Sequence, residues 1–311
     1  MISLNSHELE SDIDLDPLVF KAMINLKYLS IAEYFVDPNK KLNLPQGLLS
    51  LPDDLRYLCW NRYPSRTLPS NFKPQNLVEL NLEGSKLEKL WYGIQNFGSL
   101  KVLDLKESEN LIEIPNLSQA LNVEKIYLTG CTSLEHLPSI IVKLKSLQLL
   151  HLHRCSKLEC LPEISEPMPY LRVLDLSVSG IIDLPKSIYN LIGIEYLDLS
   201  CCQNLKSLPT TIWKLKHLKD LQITSCSKLE YLPEISELVP NLNSLDLSYT
   251  GIIDLPKSIY NLIGIEDLTL TNCQNLNSLP TTFCKLKSLK TLQLRSCPKL
   301  EYLPEISEPM P

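Results

Sequence analysis

The chain has 311 residues, 44% hydrophobic and 21% charged, so it has ample apolar material for a core, and its length alone allows one large domain or two ordinary ones. A net charge of -6 without a dense Lys/Arg run argues against nucleic acid or an anionic membrane as the main partner. No apolar run approaches the roughly 18 residues of a membrane-spanning helix, and the opening MISLNSHELESDID lacks the basic-then-apolar order of a signal peptide. With Met1 as the true start, the expectation is a cytoplasmic or nuclear protein.

In chain order, Ile2-Ser3-Leu4 reads as the end of a strand. A register of LxxLxL, then Cys, Ser or Thr, then Leu and Leu-Pro, opens at Leu26, Leu55, Leu77, Leu100, Val123, Leu147, Leu171, Ile194, Leu218, Leu242, Ile265 and Leu289. From Leu55 onward the intervals are 22 to 24 residues. That period with that pattern is the leucine-rich-repeat signature. In Leu174-Asp175-Leu176, alternation turns both leucines inward and Asp175 outward. The proline of each Leu-Pro removes a backbone donor and stops a second ladder, and Ile188 and Leu191 suit a short helical or 3₁₀ turn. One unit cannot bury its own leucines, so neighbours must.

The expected fold is an α/β solenoid: a leucine-rich-repeat horseshoe with a parallel β-sheet on its concave face and short helical, 3₁₀ or irregular returns on its convex face. Residues 1–54 are expected to be irregular repeats continuous with the solenoid, and 55–311 regular repeats. The segment Asp37-Pro38-Asn39-Lys40-Lys41 is expected to be a surface excursion.

The run GIIDLPKSIYNLIGIE occurs at 180–195 and again at 251–266, 71 residues on. The units opening at Leu171, Ile194 and Leu218 recur at Leu242, Ile265 and Leu289, so whole units were copied as a triplet. The bend takes two lengths: Ser179 to Leu184-Pro185 is one residue shorter than Cys202 to Leu208-Pro209.

Of ten cysteines, Cys131, Cys155, Cys202, Cys226, Cys273 and Cys297 sit just after the strand, where an inward polar group bonds the bending backbone. Free buried thiols are expected there. Disulfides between neighbours such as Cys202 and Cys226, or zinc, are the alternative, and the chain has no CxxC to favour zinc. His151 and His153 project from one strand face and could bind a metal, but no third ligand is evident, so an exposed polar pair is expected. Asp175, Asp198 and Asp246 could steer a basic partner, or be inherited solvated residues with Asp104 as a further copy. No phosphate loop, nucleophile elbow or acid–base–nucleophile assembly is present, so no catalytic, cofactor or metal residue is assigned.

Parallel sheets are usually covered on both faces, but here one face stays open. Its candidate partner-binding residues are Tyr127, His151, His153, Arg154, Asp175, Tyr196, Asp198, Gln222, Asp246, Tyr249 and Arg295. A mixed polar and aromatic concave surface suits protein recognition.

Residues 53–95, DDLRYLCWNRYPSRTLPSNFKPQNLVELNLEGSKLEKLWYGIQ, resemble the first repeats of plant intracellular immune receptors of the TIR-NBS-LRR class. Trp60, Tyr63-Pro64, Leu68-Pro69-Ser70, Phe72, Pro74 and Leu90-Trp91 carry the match, with FKAMINLKYLSI at 20–31 and LTGCTSLEHLPSI at 128–140. Asn116 stands where the family usually has Asp, and Val123 where it has Leu. The resemblance implies a protein-recognition module that senses a pathogen effector or guarded host protein and restrains a nucleotide-binding domain. ADP or ATP would belong to an upstream domain, not to these residues. The alternative is a leucine-rich-repeat scaffold, adaptor or inhibitor without an immune role. The final Glu305-Ile-Ser-Glu-Pro-Met-Pro311 repeats Glu163 to Pro169, which lead straight into a strand, so a fragment or truncated product of a larger receptor is expected.

Overall fold

A computed structural model describes residues 1–5, 12–32, 42–91, 93 and 95–304. The expected excursion at 37–41 and the final 305–311 lie outside the described residues. The chain divides into two compact units, Met1–Leu150 and His151–Pro311.

In the first unit the strands are β1 (Ile2–Asn5), β2 (Ile13–Asp14), β3 (Tyr28–Ala32), β4 (Leu42–Asn43), β5 (Tyr57–Trp60), β6 (Glu79–Asn81), β7 (Val102–Asp104) and β8 (Lys125–Tyr127). β1, β3, β5, β6, β7 and β8 pair in that order, all parallel. β2 and β4 form a small separate parallel pair that the repeat pattern did not announce. β9 (Leu149–His151) lies at the boundary. The second unit holds β10 (Val173–Asp175), β11 (Tyr196–Asp198), β12 (Asp220–Gln222), β13 (Ser244–Asp246), β14 (Asp267–Thr269) and β15 (Thr291–Gln293), again parallel and in chain order. A strand begins two residues after each of the twelve register positions, and the Ile2-Ser3-Leu4 fragment is a strand in the same sheet as β3. The fold is a parallel-sheet β-solenoid.

The pairing stacks like on like. Leu174 faces Leu197, Leu197 faces Leu221, and Leu221 faces Leu245. All four are buried. Stacking identical positions lets each unit cover the leucines of the next, which is where most of the stability originates. The returns are short 3₁₀ turns at Ser139–Lys143, Lys186–Asn190, Thr210–Lys214, Lys257–Asn261 and Thr281–Lys285, each entered from a proline. Just ahead of the Leu-Pro positions, pairing is reduced to isolated bridges such as Cys160 with Asp183.

The bend after each strand is built the same way every time. The residue before the inward Cys, Ser, Thr or Tyr has a positive φ: Arg62, Glu107, Arg154, Val178, Cys201, Ser225, Tyr249, Asn272 and Ser296 at 54–61°, with Gly84 and Gly130 at 66° and 76°. A non-glycine residue in that conformation costs roughly 1–2 kcal/mol. What offsets it is a bond to the next unit: Val178 N–H donates to Ser200 O at 2.7 Å, Cys201 to Thr224 at 2.7 Å and Tyr249 to Thr271 at 2.9 Å. The left-handed residue extends the ladder past the strand.

The short bends of the copied triplet, and the ends of the returns that follow them, depend on close backbone approach. A Cβ on Gly180 would lie 2.3 Å from Ser156 O, and one on Gly193 would lie 2.1 Å from Pro169 O. Gly251 and Gly264 repeat this against Ser227 O at 2.4 Å and Pro240 O at 2.0 Å.

Candidate functional site

The open face is formed by the strand residues that alternate with the buried leucines. In the second unit one row across it runs Val173, Tyr196, Asp220, Ser244, Asp267 and Thr291, and the next runs Asp175, Asp198, Gln222, Asp246, Thr269 and Gln293. Tyr196, Asp198, Asp175, Gln222 and Asp246 therefore share one surface, as the alternation implies. Asp220 and Asp267 belong to it too; the sequence reading omitted them although they hold the same register as Tyr196. His153, Arg154, Tyr249 and Arg295 lie two or three residues further on, where the chain bends, with Arg154 and Tyr249 themselves at the left-handed position. His151 ends β9, and Tyr127 ends β8 in the first unit.

The aspartates are not freely solvated. Asp175 and Asp198 are half-buried, and each accepts the N–H two residues on: Ser177 to Asp175 Oδ1 at 2.9 Å, Ser200 to Asp198 Oδ1 at 2.8 Å. Asp246 does the same for Ser248 at 2.9 Å. Asp104 is buried and takes both the N–H and the ammonium of Lys106, each at 3.1 Å. Inheritance of a solvated residue therefore understates them. These carboxylates shape the strand exit, because an Asp side chain can close a local turn with its own backbone. They still present charge outward. Tyr196 O–H donates to Asp198 Oδ2 at 3.1 Å, and burial with Asp198, Asp220 and Asp175 nearby drives its ionisation well above the usual phenol range. Gln222 Nε2 donates to Asp220 Oδ1 at 2.6 Å. At the sheet edge Glu195 bridges Arg172 at 3.3 Å and Lys219 at 2.6 Å, and its hydrogen bond to Lys219 lowers its pKa.

His153 enters a small network. Ser177 Oγ donates to Asp175 Oδ1 at 2.5 Å, and His153 Nδ1 lies 2.8 Å from Ser177 Oγ. Since the serine proton is committed to the carboxylate, the imidazole donates from Nδ1. Among the described residues no group of three or more His, Cys, Asp or Glu is placed to hold a metal ion.

The thiols line the inner side of the bend. Cys131, Cys202, Cys226 and Cys273 donate from Sγ to the carbonyls of Leu105, Leu176, Leu199 and Leu247 at 3.1–3.2 Å, one unit back in each case. Cys297 reaches Leu270 O at 2.9 Å. Ser108 Oγ makes the equivalent bond to Leu82 O at 3.2 Å and meets Ser85 Oγ at 2.8 Å. Burial raises the pKa of Cys202 and Cys226, and pushes Cys273 up to about 11. A thiol held protonated is a poor nucleophile and a poor metal ligand. This ladder is architecture.

Parallel strands, 3₁₀ returns, left-handed exits and an inward ladder define a leucine-rich-repeat protein. A model of the leucine-rich repeats of RPS4B-like disease resistance proteins matches residues 143–230, and a general leucine-rich-repeat model matches 76–95. Disease resistance protein RPS6 of Arabidopsis thaliana is 48% identical over 130 residues, 41% of this chain and 12% of that protein. Protein SUPPRESSOR OF npr1-1, CONSTITUTIVE 1 of the same plant is 49% identical over 127 residues, 41% of this chain and 8% of that protein. The leucine-rich-repeat domain of the type III effector XopL superposes with a TM-score of 0.56 at 26% identity, over 73% of this chain and 71% of that one. Over the matched residues the chain is similar to the leucine-rich repeats of plant TIR-NBS-LRR disease resistance proteins, and it spans about a tenth of the length of those relatives. No described helix is long and apolar enough to cross a membrane.

Proposed function

We propose that this chain is the protein-recognition module of a plant innate immune receptor. Its open sheet face senses a pathogen effector or a guarded host protein, and its repeats restrain the receptor's nucleotide-binding domain. It acts without catalysis, in the cytoplasm or nucleus, and ADP or ATP belongs to the nucleotide-binding domain.

The observation that supports this reading is internal. Residues 171–233 and 242–304 are copies, and they differ at 16 of 63 positions. Nine of those differences fall among the 15 positions of the open rows and strand exits: 172, 173, 178, 196, 198, 200, 201, 220 and 224 against their partners 71 residues on. Only seven fall among the other 48. Tyr196 has become Asp267, Asp198 has become Thr269, and Thr224 has become Arg295. Packing does not demand this pattern, since the buried leucines beside these residues are unchanged. A surface that changes its chemistry while the strand leucines beneath it are held suits recognition of protein partners, although three buried positions, Ile212, Trp213 and Ile223, also differ between the copies.

Alanine replacement of Tyr196, Asp198, Tyr249 and Arg295 in the complete receptor tests it. The expected result is loss of response to a verified effector while the chain still unfolds in a cooperative transition. Crosslinks from a verified partner that map only to the side of Ile188 and Ile212 would overturn the open-face reading.

A further inference from the structure

The sixteen-residue run at 180–195 and 251–266 is unchanged between the copies while the open face has changed. Packing accounts for most of it. Gly180 and Gly193 meet backbone, and Ile181, Leu184, Ile188, Leu191 and Ile194 are buried. Asp183 accepts Ser207 Oγ at 3.1 Å, Ser187 accepts the N–H of Ile164 and bonds Glu163, and Asn190 donates to Ile164 O at 2.6 Å. Three outward residues are left without such a role: Lys186, Tyr189 and Ile192, repeated as Lys257, Tyr260 and Ile263.

These are surface groups of an unusual mix. Tyr189 and Ile192 are 42% and 44% exposed, and Tyr260 and Ile263 are 39% and 42% exposed. Lys214 lies over the Tyr189 ring at 5.9 Å, and Lys285 over Tyr260 at 5.7 Å. None of Lys186, Lys214, Lys257 and Lys285 joins an ion pair among the described residues, and Glu237, which feels Lys214, is already held by Lys216 at 2.6 Å. In a chain of net charge -6, this gives two matching patches of unpaired cation beside exposed aromatic and aliphatic surface.

We propose that the return side of the second unit carries two equivalent docking sites, one from Lys186, Tyr189, Ile192 and Lys214 and the other from Lys257, Tyr260, Ile263 and Lys285, each taking an acidic, apolar-bearing peptide segment of a partner protein. The lysines supply the charge complement, and tyrosine and isoleucine the apolar anchor. More than half of each anchor is already covered by the surrounding fold, which favours a shaped protein surface over a bilayer into which side chains must plunge. This is separate from the open-face reading and survives its failure.

The test uses the full chain and a labelled 12-residue peptide of Asp, Glu and Leu, with an Asn/Gln/Leu peptide as its neutral counterpart. Calorimetry is expected to give two peptides per chain, with the neutral peptide at least tenfold weaker. Tyr189→Ser with Ile192→Ser should reduce the stoichiometry to one, and adding Tyr260→Ser with Ile263→Ser should abolish binding. Lys186→Glu and Lys257→Glu should weaken it tenfold without moving the denaturation midpoint. Equal binding of both peptides, or binding lost only on Tyr196→Ala with Asp198→Ala, would overturn the proposal. So would return-side variants that instead abolish sedimentation with phosphatidylserine vesicles, which assigns the patches to a membrane, or concentration-dependent dimerisation, which assigns them to a second copy.

Discussion

The inward position of the bend is filled by two opposite means, the first of them seen at one turn of the first unit. There Tyr63 occupies it: it is fully buried, its ring is 5.1 Å from Trp60 in an edge-on arrangement, and its hydroxyl donates to Thr67 O at 3.2 Å. Phe20 packs on the other side of Trp60 at 6.2 Å. Elsewhere the position holds small groups, Ser85, Ser108 and Cys131 in the first unit and Cys155, Ser179, Cys202, Cys226, Thr250, Cys273 and Cys297 in the second, of which Ser108, Cys131, Cys202, Cys226, Cys273 and Cys297 bond a backbone carbonyl one unit back. The first solution is an aromatic cluster, and it leaves the Trp60 indole N–H buried without a partner among the described residues. The second is modular, and a modular solution can be copied. That is the physical reason the 71-residue duplication lies where every unit presents the same interface to the next.

Breaking the stack should have the largest effect. Leu197→Asp places an unpaired carboxylate between Leu174 and Leu221 and should cost upwards of about 4 kcal/mol, read as loss of the cooperative transition in a denaturant titration. Next comes the aromatic cluster. Trp60→Ala should cost about 3–5 kcal/mol through the cavity it leaves, although it also removes one unsatisfied N–H. Cysteine substitutions in the second unit should cost far less, and similar midpoints for Trp60→Ala and Cys202→Ser would erase the contrast between the two solutions.

Gly193→Ala should cost about 2–3 kcal/mol, because the new methyl meets Pro169 O and the left-over strain cannot be relieved by rotating a side chain. The same change at Gly264 should cost as much, and unequal melting temperatures for the two variants would show that the copies no longer pack alike.

A smaller effect is expected from alkali. Cys273 ionises near 9.0 when exposed and about 11 in the fold, so the folded state holds its proton longer than the unfolded chain. Its contribution is complete below pH 9 and is lost as pH rises from 9 towards 11. Cys273→Ser should flatten that part of the stability curve, and exposed Cys160 should react with a thiol reagent well before Cys273 does at pH 8. Smallest is Asp198→Ala. The two bonds to Ser200 and Tyr196 put it at about 1 kcal/mol, more than a solvated carboxylate and far less than Leu197→Asp one residue away.

Much of the fold was legible because it is local. A 22–24 residue period, leucines at alternating positions and a proline closing each turn state strand, bend and return without reference to the rest of the chain. The open-face residues followed from alternation alone, which is why Tyr196 and Asp198 were found. Asp220 and Asp267 hold the same alternating position as Tyr196, so the same rule places them on this face; what alternation does not show is the pairing of Tyr196 beside Asp220 and of Ser244 beside Asp267 across the sheet.

Sequence alone determined the repeat, its register, the copied triplet and the inward placing of six thiols, since each depends on spacing along one chain. Tertiary structure decided what spacing cannot express. It turned the aspartates from solvated charges into closures of the strand exit, because the N–H two residues on points back at them only once the bend is formed. It set the left-handed residue before each inward group, a conformation that Val178 or Tyr249 would not adopt without the carbonyl of the next unit waiting for its N–H. It also fixed the glycines of the short bend, whose need is measured by a carbonyl of the neighbouring unit about 2 Å from where a Cβ would stand.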